Sequence, residues 1–219
     1  MKILEEISNA LQKGNAKLVR EKVQEAINSN VNPTEILQDS MIVAMSIVGE
    51  KFKKNDIFVP EVLIAARAMN EGVKVLRPVL IASGVKPIGK AMICTVMGDL
   101  HDIGKNLVKM MIEGQGIECI DIGVDCSPET IIDAINTHQP DVLCLSALLS
   151  TTMMNQKVII SRLKEEKLLK DIKVIVGGAP VTETFASEIG ADGYASDAAS
   201  AAILTKNMIL QKANGESQC

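Results

Sequence analysis

"KAMICTVMGDLHDIGKN", residues 90–106, changes character halfway along. The first seven residues are an apolar run of the length of a buried strand. From Ile103 an amphipathic stretch with helical spacing runs to Gln115. Between them "GDLHD" is a polar turn that sets a histidine between two aspartates. Strand, polar loop and helix make half of a β-α-β unit, and the pattern repeats downstream. "GIECIDI", "PDVLCLSA", "IKVIVGG" and "GADGYAS" are further short apolar runs, with amphipathic stretches at residues 128–137 and 182–189. Strands alternating with helices predict a parallel sheet covered on both faces. Five of them suit a flavodoxin-like (Rossmann-like) α/β domain with strand order of about 2-1-3-4-5. Residues 197–212 read as a closing helix capped by Asp197.

The chain before this stretch has a different period. Ile3, Ile7, Ala10 and Leu11 share one helical face, and Leu18, Val19, Val23, Ala26 and Ile27 continue the spacing. Asn32-Pro33-Thr34-Glu35 and Val59-Pro60-Glu61 place proline in the first helical turn, where a missing N–H costs nothing. The expectation is a helical bundle of about four helices over residues 1–86, followed by the sheet domain over residues 87–219. The join, "LIASGVKPIGK", carries Gly84, Pro87 and Gly89, residues that a hinge between two packed units can use.

Composition narrows the function. With 47% hydrophobic but only 2% aromatic residues, the core is built from Ile, Val, Leu, Ala and Met, and few rings remain to stack on bases. A net charge of -4 argues against a nucleic-acid partner. Glu5 and Glu6 interrupt the N-terminal stretch before an apolar segment can develop, so neither a secretory signal nor a membrane span is expected, and the reading is cytoplasmic. Cys94, Cys119, Cys126, Cys144 and Cys219 form no CxxC pair and read as free, buried thiols.

In open parallel sheets the ligand crevice lies outside the carboxyl ends of the strands, where strand order reverses. "GDLHDIG", "SALLSTT", "GGAP" and Ala195-Ser196-Asp197 follow the first, third, fourth and fifth predicted strands, so four small-residue loops converge on one edge. Several enzyme readings of the histidine loop fail. Five residues separate Gly98 from Gly104, and Asn106 stands where a phosphate-binding loop needs Ser or Thr. Ser146 and Ala195 occupy the places where a phospho-receiver needs Asp and Lys. Two histidines, His101 and His138, are too few for a metal-dependent phosphohydrolase, and "LSALLS" is no nucleophile elbow. His138, at the end of a predicted helix, reads as solvated. From the loop alone, His101 could still be a structural histidine bonded to Asp99 or Asp102.

Asp99-Leu100-His101-Asp102-Ile103-Gly104 fits the DxHxxG signature of cobalamin-binding proteins, and "SALLSTT" and "GGAP" resemble that family's two further binding loops. "GEKFKKNDIFVPEVLIAARAM", residues 49–69, resembles the helical cap module that precedes this domain in methionine synthase and in corrinoid proteins of methyltransferase systems. The resemblance spans residues 1–212. It implies a cobalt corrinoid held base-off/His-on: His101 is the lower axial ligand and the cofactor's own benzimidazole is displaced. Asp99 is then the partner of the imidazole, and Thr152 stands where the family has a hydroxyl completing the relay. Asp102, Gly104, Ser146, Leu148, Gly177, Gly178 and Ala179 fall in the loops that receive the cofactor. Phe52 and Val59 match cap positions over its upper face. Bundle core is the other reading of both, with equal weight for Val59.

The resemblance also implies a role. The domains for homocysteine, folate and reactivation that methionine synthase needs, and the catalytic barrel of a mutase, are not in this sequence. No basic helix-turn-helix or tryptophan marks a cobalamin-dependent regulator. The expectation is a methyl carrier that receives a methyl group from a substrate:corrinoid methyltransferase. A second methyltransferase would deliver that group to tetrahydrofolate or a coenzyme thiol, and a reductive activase is a further expected partner. The alternative is a cobalamin storage, chaperone or sensing protein.

Overall fold

The helical spacing of the N-terminal half becomes four rods in the computed structural model, which describes residues 2–84 and 87–216. They are α1 (Lys2–Gln12), α2 (Ala16–Asn28), a continuous rod made of α3 (Pro33–Glu35), a π-helical stretch (Ile36–Ile42) and α4 (Val43–Lys53), and α5 (Val59–Ala82). Asn15 caps α2 through Leu18 N–H at 3.1 Å, and Asn32 caps α3 through Thr34 N–H at 2.9 Å. Ile7, Leu11, Val19, Val23, Ile36, Met41, Met45 and Leu76 are buried and form the bundle interior. Gly72 lets α5 close on its neighbours, since a Cβ there would meet Met41 Cε at 2.6 Å and Val19 Cγ1 at 2.8 Å. Within the join, Val85 and Lys86 lie outside the described residues.

The second half is doubly wound. Its order is β1 (Lys90–Thr95), α6 (Ile103–Glu113), β2 (Glu118–Asp121), α7 (Pro128–His138), β3 (Val142–Ser146), α8 (Met154–Glu165), β4 (Lys173–Gly177), α9 (Glu183–Glu188), β5 (Gly193–Ala195) and α10 (Ala198–Glu216). All strand pairs are parallel in the order β2-β1-β3-β4-β5. Met92, Cys94, Leu143, Leu145, Val174 and Val176 share a core with Ile131, Ile159, Leu163 and Ala186, which places α7, α8 and α9 on one face. On the other, α6 and α10 pack side by side, and the Cys144 thiol lies 3.8 Å from Thr205 Oγ1 of α10. This is the α/β arrangement expected from the alternation of periods.

The chain divides into two compact units: the stretch up to Pro87 with Gly114–Gly116, and Ile88–Glu113 with the residues from Ile117 onward. The sequence pattern gave no sign of α8. Its inward face carries Gln156, wholly buried, beside Ile159, Ile160 and Leu163, so a polar residue interrupts the apolar spacing that would have marked a helix. Cys94, Cys119, Cys126 and Cys144 are free and buried, while Cys219 lies outside the described residues. Among the described residues no helix is long and apolar enough to cross a membrane.

Candidate functional site

β1 ends where strand order reverses, with β2 on one side and β3 on the other, so the loop after it opens into the crevice of the sheet's carboxyl edge. Gly98 starts the turn at φ +80°. Asp99 then folds inward until its side chain is 0% exposed, while the His101 side chain remains 52% exposed.

A carboxylate taken out of water needs donors. Asp99 has four. Oδ2 accepts Thr152 Oγ1–H at 2.7 Å and Leu148 N–H at 2.8 Å; Oδ1 accepts His101 N–H at 3.1 Å and faces His101 Nδ1 at 2.8 Å. Burial raises its pKa, but the Thr152 hydroxyl, the Leu148 and His101 amides and the imidazole together outweigh burial and hold the carboxyl well below its usual range. Asp99 therefore stays ionised and can only accept. That fixes the hydrogen of a neutral His101 ring on Nδ1 and leaves Nε2 with the free lone pair. The structure thus brings together His101, Asp99 and Thr152, three residues from two loops.

The other residues chosen from sequence fall into distinct places. Leu148 contributes its backbone N–H to Asp99, and its side chain is exposed. Asp102 does not join the relay; its side chain accepts from Asn106 Nδ2 at 3.1 Å, and its carbonyl accepts Asn106 N–H at 2.7 Å in the first helical bond of α6. Ser146 closes β3, and its carbonyl accepts Val96 N–H at 3.0 Å. The Gly177 carbonyl accepts Ala147 N–H at 3.2 Å. Gly178, at φ +124°, passes so close to the β3 loop that a Cβ would lie 1.7 Å from the Ala147 carbonyl oxygen. Ala179 is exposed next to it. Phe52, on α4, is half-buried, and Val59, the first residue of α5, is 37% exposed, so neither is an interior residue of the bundle.

Several residues that shape this edge were not singled out by the sequence. Thr95, wholly buried, donates its hydroxyl to the His101 carbonyl at 2.8 Å. Asn155 Nδ2 donates to the Met97 carbonyl at 2.6 Å, and Asp125 Oδ1 accepts Gly98 N–H at 2.7 Å. Lys105, 3% exposed, is ion-paired with Asp121. Gln156 spends both amide hydrogens on carbonyls, Leu145 at 3.0 Å and Gly177 at 3.1 Å, which leaves its buried Oε1 without a partner among the described residues. Only Lys105 carried a local signal, following directly on the DxHxxG motif. The rest act across loops that are distant in sequence.

The donor set defines what could be held here. Among the described residues no group of three or more His, Cys, Asp or Glu could hold a bare metal ion. A single oriented imidazole with a carboxylate on its far nitrogen suits instead a metal that brings its equatorial ligands with it. The surroundings fit a bulky, partly apolar partner. Met97, Leu100, Ile103, Leu148 and Leu149 are exposed apolar side chains around the loop, and a Cβ at Gly104 would meet nothing within 4 Å. Gly104 is thus not required by the chain's own packing.

A flavodoxin-like sheet whose first switch-point loop carries the DxHxxG segment is that of a cobalamin-binding protein, and the comparisons agree. Residues 89–203 match the family model described as "B12 binding domain", and residues 3–77 match a second model of the same description. The chain belongs to this B12-binding family of corrinoid proteins. It is 36% identical to a corrinoid protein of Desulfitobacterium hafniense, over 97% of this chain and 99% of the relative. It is 38% identical to dimethylamine corrinoid protein 3 of Methanosarcina acetivorans, over 95% and 97%. Among solved structures, the methanol:cobalamin methyltransferase complex MtaBC of Methanosarcina barkeri contains a chain that superposes with a TM-score of 0.83 at 30% identity, covering 95% of this chain and 80% of that one.

Proposed function

We propose that this protein carries a methyl group on cobalt between two methyltransferases: a substrate:corrinoid methyltransferase that loads it and a second enzyme that delivers the group to tetrahydrofolate or a coenzyme thiol. When bound, the corrinoid supplies a cobalt centre that accepts and gives up the methyl group. The chain's own residues do the rest. His101 binds the cobalt through Nε2, with the cofactor's benzimidazole detached, so the cofactor is base-off/His-on. Asp99 holds the Nδ1 hydrogen and thereby the ring's orientation, and Thr152 holds Asp99. Asp102, Leu148 and Ala179 belong to the loops that receive the cofactor, and the small residues Gly104, Ser146, Gly177 and Gly178 let its nucleotide tail approach the backbone. Residues 1–86 act as a cap whose Phe52 and Val59 shield the upper face, and residues 87–219 form the cobalamin-binding domain. A cytoplasmic setting and a reductive activase complete the reading, because a reduced cobalt nucleophile is lost to oxidants unless it is restored.

The observation that carries the proposal is the oriented His101 ring on a fully buried carboxylate, with its other nitrogen free. Relatives that are corrinoid proteins of methylamine systems, and the likeness to a chain of a methanol:cobalamin methyltransferase complex, support the methyl-carrying role. The test is electron paramagnetic resonance of the reconstituted Co(II) protein. Coupling to one nitrogen of a uniformly 15N-labelled protein is expected with unlabelled cobalamin, and its loss in His101→Ala. A 14N pattern from the cofactor's own base in the wild type would overturn the base-off reading.

A further inference from the structure

Gly98 is the flexible point of the histidine loop. It sits at φ +80°, directly before Asp99, and a glycine there gives the chain freedom to swing. Something must take that freedom away if His101 is to present one orientation. Asn155 holds the Met97 carbonyl on one side of the glycine, and Thr95 holds the His101 carbonyl beyond it. The Asp99 side chain is held by Leu148 and Thr152 and its N–H by the Val96 carbonyl at 3.2 Å, which leaves the Gly98 N–H and the Asp99 carbonyl to the loop between β2 and α7. Asp125 grips both: its Oδ1 accepts Gly98 N–H at 2.7 Å, and its own N–H donates to the Asp99 carbonyl at 3.0 Å. The two bonds run in opposite directions and close a small ring around the glycine.

Asp125 makes this grip from a left-handed backbone conformation, φ +53°, that costs a non-glycine residue energy. Its flanking residues fix it there. The Gly123 carbonyl accepts Thr95 N–H at 3.0 Å, and Cys126 N–H donates to the Thr95 carbonyl at 3.1 Å, so the segment around Asp125 is stitched to the end of β1 on both sides. We infer that Asp125 is a positioning residue for the axial histidine: it locks Gly98 and sets the backbone from which Asp99 and His101 project. It touches neither the imidazole nor the reacting atoms and acts through the loop alone. The inference rests on the reading of His101 as the cobalt ligand for its functional meaning, but the lock is a property of the apoprotein.

The test separates the two. Asp125→Gly keeps the left-handed backbone at no steric cost, deletes the side-chain grip and adds glycine's own backbone freedom, whereas Asp125→Asn restores an acceptor in a residue that tolerates this conformation. In the apoprotein, hydrogen exchange at the Gly98 and His101 amides is expected to speed up by about tenfold in Asp125→Gly and to return to within about twofold of wild type in Asp125→Asn. The 15N spectrum of the His101 ring should show a single Nδ1–H tautomer in wild type and in Asp125→Asn, and exchange between tautomers in Asp125→Gly. On reconstitution, cobalamin affinity should fall by about tenfold in Asp125→Gly only. Exchange rates and ring tautomer in Asp125→Gly that match wild type would overturn the lock. Loosened amides with unchanged cobalamin affinity would overturn its bearing on the cofactor. If the wild-type Co(II) signal shows no protein nitrogen, the ligand reading fails while the apoprotein data still judge the lock.

Discussion

Thr152→Val tests whether the Asp99 relay is a built element or an incidental cluster. The Thr152 hydroxyl has one hydrogen, and at 2.7 Å it serves Asp99 Oδ2 in preference to the Leu149 carbonyl at 3.1 Å. Valine keeps the shape and removes that hydrogen. Because the acceptor is charged and its side chain is 0% exposed, the loss should cost about 2 kcal/mol, within the usual range for bonds to ionised groups. Thr152→Ser keeps the hydroxyl and gives up one methyl, about 0.8 kcal/mol. The two variants are therefore ordered by chemistry and not by size. The chain has one tyrosine and no tryptophan, and Tyr194 lies in β5, so tyrosine fluorescence in urea follows the sheet unit alone. The sign with pH is also fixed. Asp99 is depressed when folded, so its contribution is present above the unfolded carboxyl pKa and is lost as pH falls toward the folded one. The valine variant has a smaller depression to lose, so the gap between it and wild type should hold from pH 7 to about pH 4 and narrow only below the carboxylate range. A valine variant as stable as wild type, or less damaged than the serine variant, would refute the reasoning.

Gly178→Ala should cost the sheet unit at least about 3 kcal/mol in the same fluorescence assay, because the new Cβ meets a backbone oxygen at a φ of +124°. A Gly104→Ala control, where the Cβ position is open, should leave apoprotein stability within about 0.5 kcal/mol. Asp197 caps α10 through Ser200 N–H at 2.9 Å, with the Ser200 hydroxyl at 2.8 Å. Asp197→Ala should cost about 1 kcal/mol at pH 7. Burial opposes its ionisation, but the Ser200 and Ser196 donors outweigh it and hold the carboxyl below its ordinary 3.8, so this penalty should start to fade as pH drops below 3.8 and not as pH rises.

The sheet was legible because its strands are short, nearly continuous apolar runs that alternate with amphipathic stretches, the pattern of a doubly covered parallel sheet, and five such strands suit the flavodoxin-like order. The histidine loop was legible because its motif is contiguous. The residues that hold the loop were not. Thr95 is a threonine in a strand, Asn155 a polar residue in an unmarked helix, and Asp125 an aspartate in a turn, and each has an ordinary local explanation. Their roles appear only when β1, β3 and the β2–α7 loop come to one edge. Gln156 shows the same limit from the other side: its burial hid α8 altogether, because helix periodicity is read from apolar spacing, and a polar side chain that bridges two strand-end carbonyls breaks that spacing.

Asp99 is bonded on one oxygen to the β3 loop and on the other to its own loop, which makes the two loops a single mechanical part. Residues 98–102 cannot be transplanted alone: a flavodoxin-like scaffold given the DxHxxG segment without the Leu148 amide and the Thr152 hydroxyl would receive a buried carboxylate with half of its donors missing. A portable histidine mount in this fold therefore takes at least that second segment, some fifty residues away in the chain, besides the Asp125 turn that grips Gly98, and variation in each is constrained by the others.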